Sequence, residues 1–489
     1  MFNTIKATIP RDKDYPERQY RLDVLSRVLK GTFYDGLAYA FNMEKVEGTG
    51  EYIPLRSRRP SVRYGLCRTV VEDSISLLFS EGHFPEVECE DEKTRDALKL
   101  VVKEAMLNVA MIDAATKGSV GSVCIFLRSL KGRIFVTADE TQFLMPTWDP
   151  EAPDTLLLVT EKYKAKGRLL RDSGYTIADD DMDADFWVKR QWTANNEYWF
   201  TPVKCAPDAP PMTIDQARSV THALGFVPCI WVRNLPGGDA IDGGCTFPNE
   251  AIDCQIEIDY QLSQAGRGLK YSSDPTLMLK EPASPDDSQI VKGAGNALVV
   301  GENGDAKLLE INGTAVAAVL DYVRALRDLG LETAHGNRAN ADKLSAAQSG
   351  RAMELMNQAL IWLADKLRIS YGEGALLDLL KMIVAASKKY PLMLKDGTKL
   401  GELDGTKPLS LRWPAWYAPT YADKQSQAET VSTLRGAGAL SQETTVKTIA
   451  TDYDIEDVAA EIALINADPP MPSNTPPPDD KKPDPGADD

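Results

Sequence analysis

Histidine and net positive charge are both scarce in this chain. Of its 489 residues only three are histidine, at His83, His222 and His335, and 72 acidic residues against 55 basic ones give a formal net charge of −17. A protein that holds DNA by neutralising phosphates carries a basic surface, so this balance argues against tight, static binding of nucleic acid. The histidines form neither an HxxxH nor an HExxH pattern, which argues against a helical zinc site.

The spacing of the cysteines is typical neither of a zinc site nor of a disulfide framework. Their number is odd, no two have CxxC spacing, and they are scattered over Cys67, Cys89, Cys124, Cys205, Cys229, Cys245 and Cys254. Two of them lie in apolar, strand-like runs. We therefore expect buried free thiols in a reducing cytoplasm.

Long apolar runs and catalytic motifs are also missing from the sequence. No apolar run approaches the about 20 residues that span a bilayer, and the N-terminus lacks the apolar core of a signal peptide, so we expect a soluble protein made in the cytoplasm. No GxxxxGK[ST] loop or GxSxG elbow occurs. The segment nearest to the GxxxxGK[ST] pattern, 301–307, has the wrong spacing and two acidic residues where phosphate would bind. We interpret it as a hairpin turn. Nothing points to catalytic residues, a cofactor or a metal.

Hydrophobic periodicity predicts an α+β fold, and the length allows two to four domains. Helical spacing predicts helices at 17–29, 63–80, 92–116, 249–271, 314–331, 344–388, 422–436 and 441–466. Extended patterns predict strands at 123–127, 134–136, 156–159, 187–192, 197–200, 276–279 and 297–300. Turn residues at 130–133 and 195–196 predict two hairpins. The last segment, 467–489, is rich in proline and aspartate and is expected to be disordered.

Aromatic residues cluster at 187–200 and 413–421. Aromatic side chains can stack on single-stranded nucleic acid. The first cluster follows strand alternation and the second flanks prolines, so we interpret both as packing between layers.

Several short segments, in this order, resemble those of bacteriophage portal proteins. They are Ser349-Gly350-Arg351-Ala352-Met353-Glu354-Leu355, Trp413-Pro414 with Pro419-Thr420 and Asp423, and Gly438-Ala439-Leu440-Ser441-Gln442-Glu443-Thr444 with Asp454-Ile455-Glu456 and Ala460-Glu461-Ile462. Tyr52-Ile53-Pro54 and the helix at 63–80 fit the N-terminal part. The resemblance covers residues from about 15 to 466, but the sequence of 271–311 does not resemble that of portal proteins.

The resemblance implies the portal fold, with wing, stem, clip and crown, long helices and a β-rich wing layer. The implied divisions are an N-terminal region and α/β wing at 1–246, a first stem helix at 247–270, a clip at 271–311, a second stem helix at 312–332, a tunnel loop at 333–347, a long wing helix and closing strand at 348–421, a helical crown at 422–466 and the tail at 467–489.

The function that the resemblance implies is a ring-shaped channel at one capsid vertex for packaging and ejection of double-stranded DNA. The implied partners are further copies in a dodecameric ring, the terminase large subunit, head-completion and adaptor proteins, the major capsid and scaffolding proteins, and the passing DNA, with no membrane. An acidic wall would repel DNA and keep friction low. The candidate channel residues are Arg324, Arg327, His335, Arg338 and Lys343.

Two observations from the residues bear on this expectation. Leu355, Leu360, Trp362, Leu363 and Leu367 leave the long helix little purely polar surface, which predicts a closed ring through heterologous contacts. The polar stretch 334–343 is either an ordinary surface turn or the channel constriction. Two alternative functions remain open for the chain: a virion structural or adaptor protein without a channel, and a metal-dependent nucleic-acid enzyme.

Overall fold

The computed structural model describes residues 1–130, 132–273, 276–282, 300–309, 314–336, 350–417, 420–450, 455 and 457–467. The chain forms two compact units. The larger, called the body below, comprises Met1–Ser345 and Glu354–Trp416, and the smaller, called the C-terminal unit, comprises Ala346–Met353 and Tyr417–Asp489.

Helices and strands are mixed along the chain. The helices are α1 Phe2–Lys6, α2 Glu17–Lys30, α3 Leu66–Phe79, α4 Glu92–Glu104, α5 Leu107–Gly118, α6 Gly167–Asp172, α7 Asn249–Ser273, α8 Thr314–Thr333, α9 Gly350–Met356, α10 Gln358–Leu367, α11 Leu377–Ser387, α12 Tyr421–Gly436, α13 Gln442–Ile449 and α14 Val458–Ala467. The first strands are β1 Tyr39–Ala40, β2 Arg58–Arg59, β3 Glu86–Cys89, β4 Ser122–Leu130, β5 Arg133–Glu140, β6 Leu144–Trp148, β7 Leu156–Lys166, β8 Asp185–Thr193 and β9 Asn196–Trp199. The others are β10 Val203–Lys204, β11 Val220–Thr221, β12 Cys229–Arg233, β13 Thr276–Pro282, β14 Val300–Leu309, β15 Leu392–Met393, β16 Lys399–Gly401 and β17 Leu409–Arg412.

A three-stranded antiparallel sheet of order β12–β4–β5 separates two hydrophobic clusters. Side chains of β4 alternate between its faces. Val123, Ile125 and Leu127 belong to the main core with the helices. Cys124 and Phe126 pack instead against the larger sheet. Both faces of β4 are buried, which explains its unbroken run of apolar residues.

The larger sheet has the order β11–β9–β8–β7–β6, with β10 also pairing with β8. Both hairpins predicted from turn residues are confirmed, since β4 pairs with β5 and β8 pairs with β9. Trp192 of β8 packs on Phe126 across the two sheets, with ring centroids 4.4 Å apart. Smaller two-stranded pairs join β1 to β2, β15 to β16, and β17 to β3.

The prediction of one helix over 92–116 is wrong, because α4 and α5 are separate helices. Met106 between them has a φ of 48°, in the left-handed region that bulky side chains rarely adopt. The break changes which face is buried. Val109 is 54% exposed, whereas Leu107 and Met111 are fully buried.

The long helical region predicted over 344–388 is confirmed from Gly350 to Ser387 apart from Asn357, and it consists of several consecutive helical segments. α9, α10 and α11 follow one another, and Arg368–Leu376 between the last two is a π-helix; 344–349 lie outside the described residues. A Cβ atom on Gly372 would lie 2.3 Å from Cζ2 of Trp413. Glycine at this position therefore allows the indole to pack directly on the helix backbone.

The C-terminal unit contains α12, α13 and α14. Thr420 and Asp423 form a reciprocal capping box at the start of α12, and Ser441 accepts a hydrogen bond from the Thr444 N–H as the N-cap of α13. The prediction of one helix over 441–466 is wrong, because α13 ends at Ile449 and α14 begins at Val458.

The seven cysteines are all free thiols, as expected. The expectation of complete burial holds for four of them and is wrong for Cys89, Cys205 and Cys245, which are half-buried.

Candidate functional site

Helices α7 and α8 form an antiparallel pair that is rooted in the body. The first turns of α7 bury Ala251, Ile252 and Ile256, whereas Leu269 near its end is 52% exposed. α8 runs the other way, since Leu331 near its C-terminus is only 3% exposed. The pair therefore leaves the core as it approaches the segment that joins the two helices.

The joining segment contains the two-stranded antiparallel ribbon β13–β14. Thr276 pairs with Leu309, and Lys280 pairs with Asp305. The interpretation of 301–307 as a hairpin turn is wrong, because these residues lie within β14, and 305–307 pair with β13. The strand predicted at 297–300 lies outside the described residues except for Val300. A β insertion between the two helices is confirmed; the role of a clip stays a prediction.

Two polar side chains one turn apart fix α7 to the N-terminal part of the body. Asp259 is fully buried and accepts hydrogen bonds from the Tyr34 hydroxyl at 2.8 Å and the Tyr64 N–H at 2.6 Å. Ser263 Oγ accepts from the N–H groups of Ser61 and Val62, each at 3.0 Å. Burial raises the pKa of Asp259 to about 6, against the opposing effect of these donors.

A glycine lets α8 approach its neighbours closely. A Cβ atom on Gly330 would lie 2.5 Å from Cδ2 of Leu66 and 3.2 Å from Cβ of Cys254. Leu66 belongs to α3 and Cys254 to α7. The base of the helix pair is thus held by direct packing of three helices as well as by hydrogen bonds.

The structure places three of the five predicted channel residues on or just after α8. Arg324 is 74% exposed and forms an ion pair with Asp321 at 2.9 Å. Arg327 is half-buried, and its Nε has no acceptor within the described part of the chain. His335 is exposed and has a φ of 53°. The other two predicted residues, Arg338 and Lys343, lie outside the described residues, so the channel assignment stays a prediction.

Large apolar side chains are exposed on two helical regions of the body, one from α9 to the π-helix and the other on α8. Leu355, Trp362 and Ile369, seven residues apart, are 57%, 56% and 68% exposed. In contrast, Leu360, Leu363 and Leu367 of the same helical region are at most 3% exposed. The predicted set of five apolar residues is thus split between two faces, one in the core and one open. On α8, Leu320, Tyr322 and Leu329 are 42%, 47% and 51% exposed.

Both aromatic clusters contain side chains that pack as predicted, but the prediction is wrong for Tyr421 of the second cluster, which is 94% exposed. Lys162 Nζ lies 4.2 Å from the ring centroid of Trp187. In the second cluster, the Arg368 guanidinium lies 3.2 Å from the Trp416 ring centroid and 4.7 Å from that of Trp413. Burial lowers the pKa of Arg368 to about 10. Because the rings of Trp187, Trp413 and Trp416 contact cations, these ring faces are not free to stack on nucleic-acid bases.

The described ranges contain no group of three or more His, Cys, Asp or Glu side chains that could hold a metal ion. Within the same ranges, no helix is both long and apolar enough to cross a membrane.

No protein-family model matches this chain. A comparison with curated proteins also finds no match. Among solved structures, a chain from the virion of a native gene transfer agent particle aligns with a TM-score of 0.37 and 11% identity, over 79% of this chain and 88% of that chain. A chain from the neck of an empty gene transfer agent particle aligns with a TM-score of 0.36 and 10% identity, over the same shares of both chains. Both TM-scores are too low to establish a shared fold.

Sequence reasoning missed one buried ionic network. The Arg18 guanidinium donates to both carboxylate oxygens of Asp242 at 2.8 and 2.7 Å and to the carbonyls of Thr141 and Leu144 at 2.9 Å. Ser122 Oγ donates to the same carboxylate at 2.6 Å. This network joins α2, both sheets and the loop before α7. Its partners are too far apart in the chain for any spacing rule to connect them.

Proposed function

We propose that this chain is the subunit of a portal ring, a cyclic homo-oligomer at one vertex of a viral capsid through which double-stranded DNA enters and leaves. The observation that carries the proposal is the antiparallel pair α7–α8, rooted in the body at one end and joined by a β ribbon at the other. A helix pair of this kind can line a central passage when copies are arranged around an axis, with the ribbons at one end of it.

The uncovered apolar side chains supply a physical reason for assembly. Burying a Leu, Ile or Trp side chain contributes about 1.5–3 kcal/mol. Leu355, Trp362 and Ile369 form one open row, and Leu320, Tyr322 and Leu329 add apolar surface on α8. These two surfaces lie on different helices. A heterologous contact, in which one surface of a copy meets the other surface of the next copy, would cover both and close a ring.

The acidic composition fits a channel through which DNA slides better than a surface that binds DNA tightly. With a net charge of −17 per copy, most of the wall would repel phosphates. Arg324, Arg327 and His335, together with Arg338 and Lys343, would then be local, salt-screened contacts at the narrowest part. The ribbon would project from the ring and meet the terminase large subunit during packaging and head-completion proteins afterwards.

Ring formation is tested on the purified full chain by negative-stain microscopy and mass photometry. We expect rings with a central hole. Trp362→Glu should abolish them, because a charge would replace the centre of the open row. Leu100→Glu is the matched control, since Leu100 is 48% exposed on α4, and it should leave rings intact. A wild-type chain that stays monomeric, or that forms assemblies without a hole, would contradict the proposal and favour an adaptor protein.

The channel assignment is tested separately. Replacing Arg338 and Lys343 together with alanine should leave rings intact and change DNA packaging or retention. If the double variant instead fails to form rings, these residues belong to a subunit interface and the tunnel assignment is wrong.

A further inference from the structure

A basic segment lies beside helix α7, in a chain whose net charge is −17. Residues 52–65, called the basic segment below, contain four arginines and no aspartate or glutamate. Arg63 forms an ion pair with a carboxylate of the same copy. Arg56 and Arg59 differ, since both are exposed and no ion pair joins either of them to another residue in the ranges that the structure describes. Two guanidinium groups of the segment are therefore available to carboxylates outside the copy.

The acidic residues that precede the basic segment do not neutralise it. Glu44 pairs with Arg267 of α7. Glu47 and Glu51 are exposed in the turn before the segment, and within the described part of the chain neither forms an ion pair with the two arginines. Arg58, between them in sequence, is buried and donates to a backbone carbonyl rather than to a carboxylate. The segment thus keeps a local excess of positive charge.

Hydrogen bonds fix the basic segment on one side of α7. The Tyr260 hydroxyl donates to the carbonyl of Arg58 at 2.8 Å, and Asp259 and Ser263 accept from backbone N–H groups of the segment. Each residue of an α-helix turns by about 100°, so these three α7 residues lie about 120–180° around the helix from Cys254. Because α8 packs at Cys254, the basic segment and α8 lie on opposite sides of α7.

Helix α8 has an acidic row on its outer face. Asp321, Asp328 and Glu332 are exposed and lie about 160–180° around α8 from Gly330, the residue that contacts α3 and α7. Asp321 pairs with Arg324 of the same helix, but both side chains are more than 70% exposed, and such pairs are weak. Asp328 forms no ion pair within the described ranges. The row therefore faces away from the body and can accept further cations.

The two charged surfaces lie at the same height along the helix pair. With a rise of about 1.5 Å per residue, 259–263 lie about 8–14 Å beyond Cys254. In the antiparallel helix, Asp328 and Asp321 lie about 3–14 Å beyond Gly330 in the same direction. Within one copy the widths of both helices, each about 10 Å, separate the surfaces. Rotation about an axis parallel to the helices changes no height, so the basic segment of one copy can meet the acidic row of the next.

We propose that Arg56 and Arg59 of one copy form ion pairs with Asp321 and Asp328 of the neighbouring copy. A guanidinium group binds a carboxylate through two parallel hydrogen bonds. Copies that each have a net charge of −17 repel one another, and this contact places opposite charges together at every junction between copies. The inference rests on the homo-oligomer proposed above and names the residues that set the order of its subunits.

The test is charge reversal in the full chain, with ring formation followed by mass photometry and negative-stain microscopy. One variant carries Arg56→Glu with Arg59→Glu, and a second carries Asp321→Arg with Asp328→Arg. Each variant brings like charges together at every junction. Each should therefore raise the chain concentration at which half of the copies are in rings by about tenfold or more.

The matched control reverses two arginines elsewhere on the body. Arg168 and Arg171 of α6 are three positions apart, as Arg56 and Arg59 are, and their side chains are 64% and 41% exposed. Replacing both with glutamate makes the same change of net charge. It should leave the concentration dependence of ring formation close to that of the wild-type chain.

Mixing the two variants separates a contact between copies from damage to the fold. In an equal mixture, each junction between unlike copies joins a basic surface to an acidic one. Rings in which the two variants alternate should therefore form at the wild-type concentration. A chain that carries all four substitutions should also form rings, because both of its surfaces are reversed.

Three results would overturn the proposed contact while wild-type rings form. The reversed variants could assemble like the wild-type chain. They could fail to assemble both in the mixture and when combined in one chain, which would assign these residues to the fold of each copy. The variant with Arg56→Glu and Arg59→Glu could form normal rings but lose binding of duplex DNA, which would assign the basic segment to DNA. A wild-type chain without rings would instead refute the homo-oligomer.

Discussion

Replacing Asp259 with asparagine should remove a specific part of the pH dependence of stability. Asp259 is fully buried on α7 and accepts hydrogen bonds from Tyr34 and Tyr64. Burial raises its pKa to about 6 from an ordinary value of 3.8. Asparagine has nearly the same shape and cannot ionise. Its single acceptor oxygen can serve the Tyr64 N–H, and its NH2 group can donate to the Tyr34 hydroxyl.

The direction follows from proton linkage. Because the pKa of Asp259 is higher in the folded state than in the unfolded state, the folded state binds the proton more tightly. The resulting stability is fully present below the unfolded pKa of 3.8 and is lost as the pH rises through about 6. A difference of about two pKa units corresponds to about 3 kcal/mol, of which about 2 kcal/mol falls between about pH 4 and pH 7.

The assay is urea unfolding of the wild-type and variant chains at several pH values, with circular dichroism as the signal. We expect the wild-type chain to lose about 2 kcal/mol relative to Asp259→Asn between about pH 4 and pH 7. Asp253→Asn is the control on the same helix, because the Asp253 side chain is 56% exposed, and it should follow the wild-type profile. Parallel profiles for wild type and Asp259→Asn would refute the reasoning.

Three further substitutions probe other contacts. Asp242→Ala should cost about 3–5 kcal/mol of unfolding free energy, measured by urea titration, because it leaves the buried guanidinium of Arg18 without a counter-ion. Gly330→Val should lower stability by about 1–3 kcal/mol in thermal melts, because its side chain would overlap Leu66; unchanged melting would mean that the helices can separate freely. Arg368→Met should cost about 1 kcal/mol and change tryptophan fluorescence, since it removes the cation between two indoles.

Local patterns predicted the elements whose signal lies within a few residues. Extended apolar or alternating runs and the turn residues between them located both hairpins, β4–β5 and β8–β9, and apolar periodicity located α7 to within two residues of its end. The corresponding physical cause is local: side-chain direction and turn geometry are set by neighbours in the chain.

Other features depend on tertiary contacts and could not be predicted from the sequence. The left-handed Met106 separates α4 from α5 without a glycine or proline to mark it. The π-helix at Arg368–Leu376 accompanies the packing of Trp413 against Gly372, two residues far apart in sequence. Among the candidate channel residues, sequence spacing located Arg324 and Arg327 on one helix. Spacing does not predict which molecule an exposed helix face contacts in an assembly.

The pairing of β3 with β17 has a consequence for synthesis. Arg412 of β17 bonds to Glu86 of β3 across 326 positions of the chain. At a translation rate of about 5–20 residues per second, β3 therefore waits about 16–65 s for its partner strand after it is made. During that time it exposes an unpaired strand edge, which other nascent chains can join. Expression at a low level, which keeps nascent chains dilute, should therefore raise the yield of correctly paired subunits over aggregates more than a change of buffer after lysis.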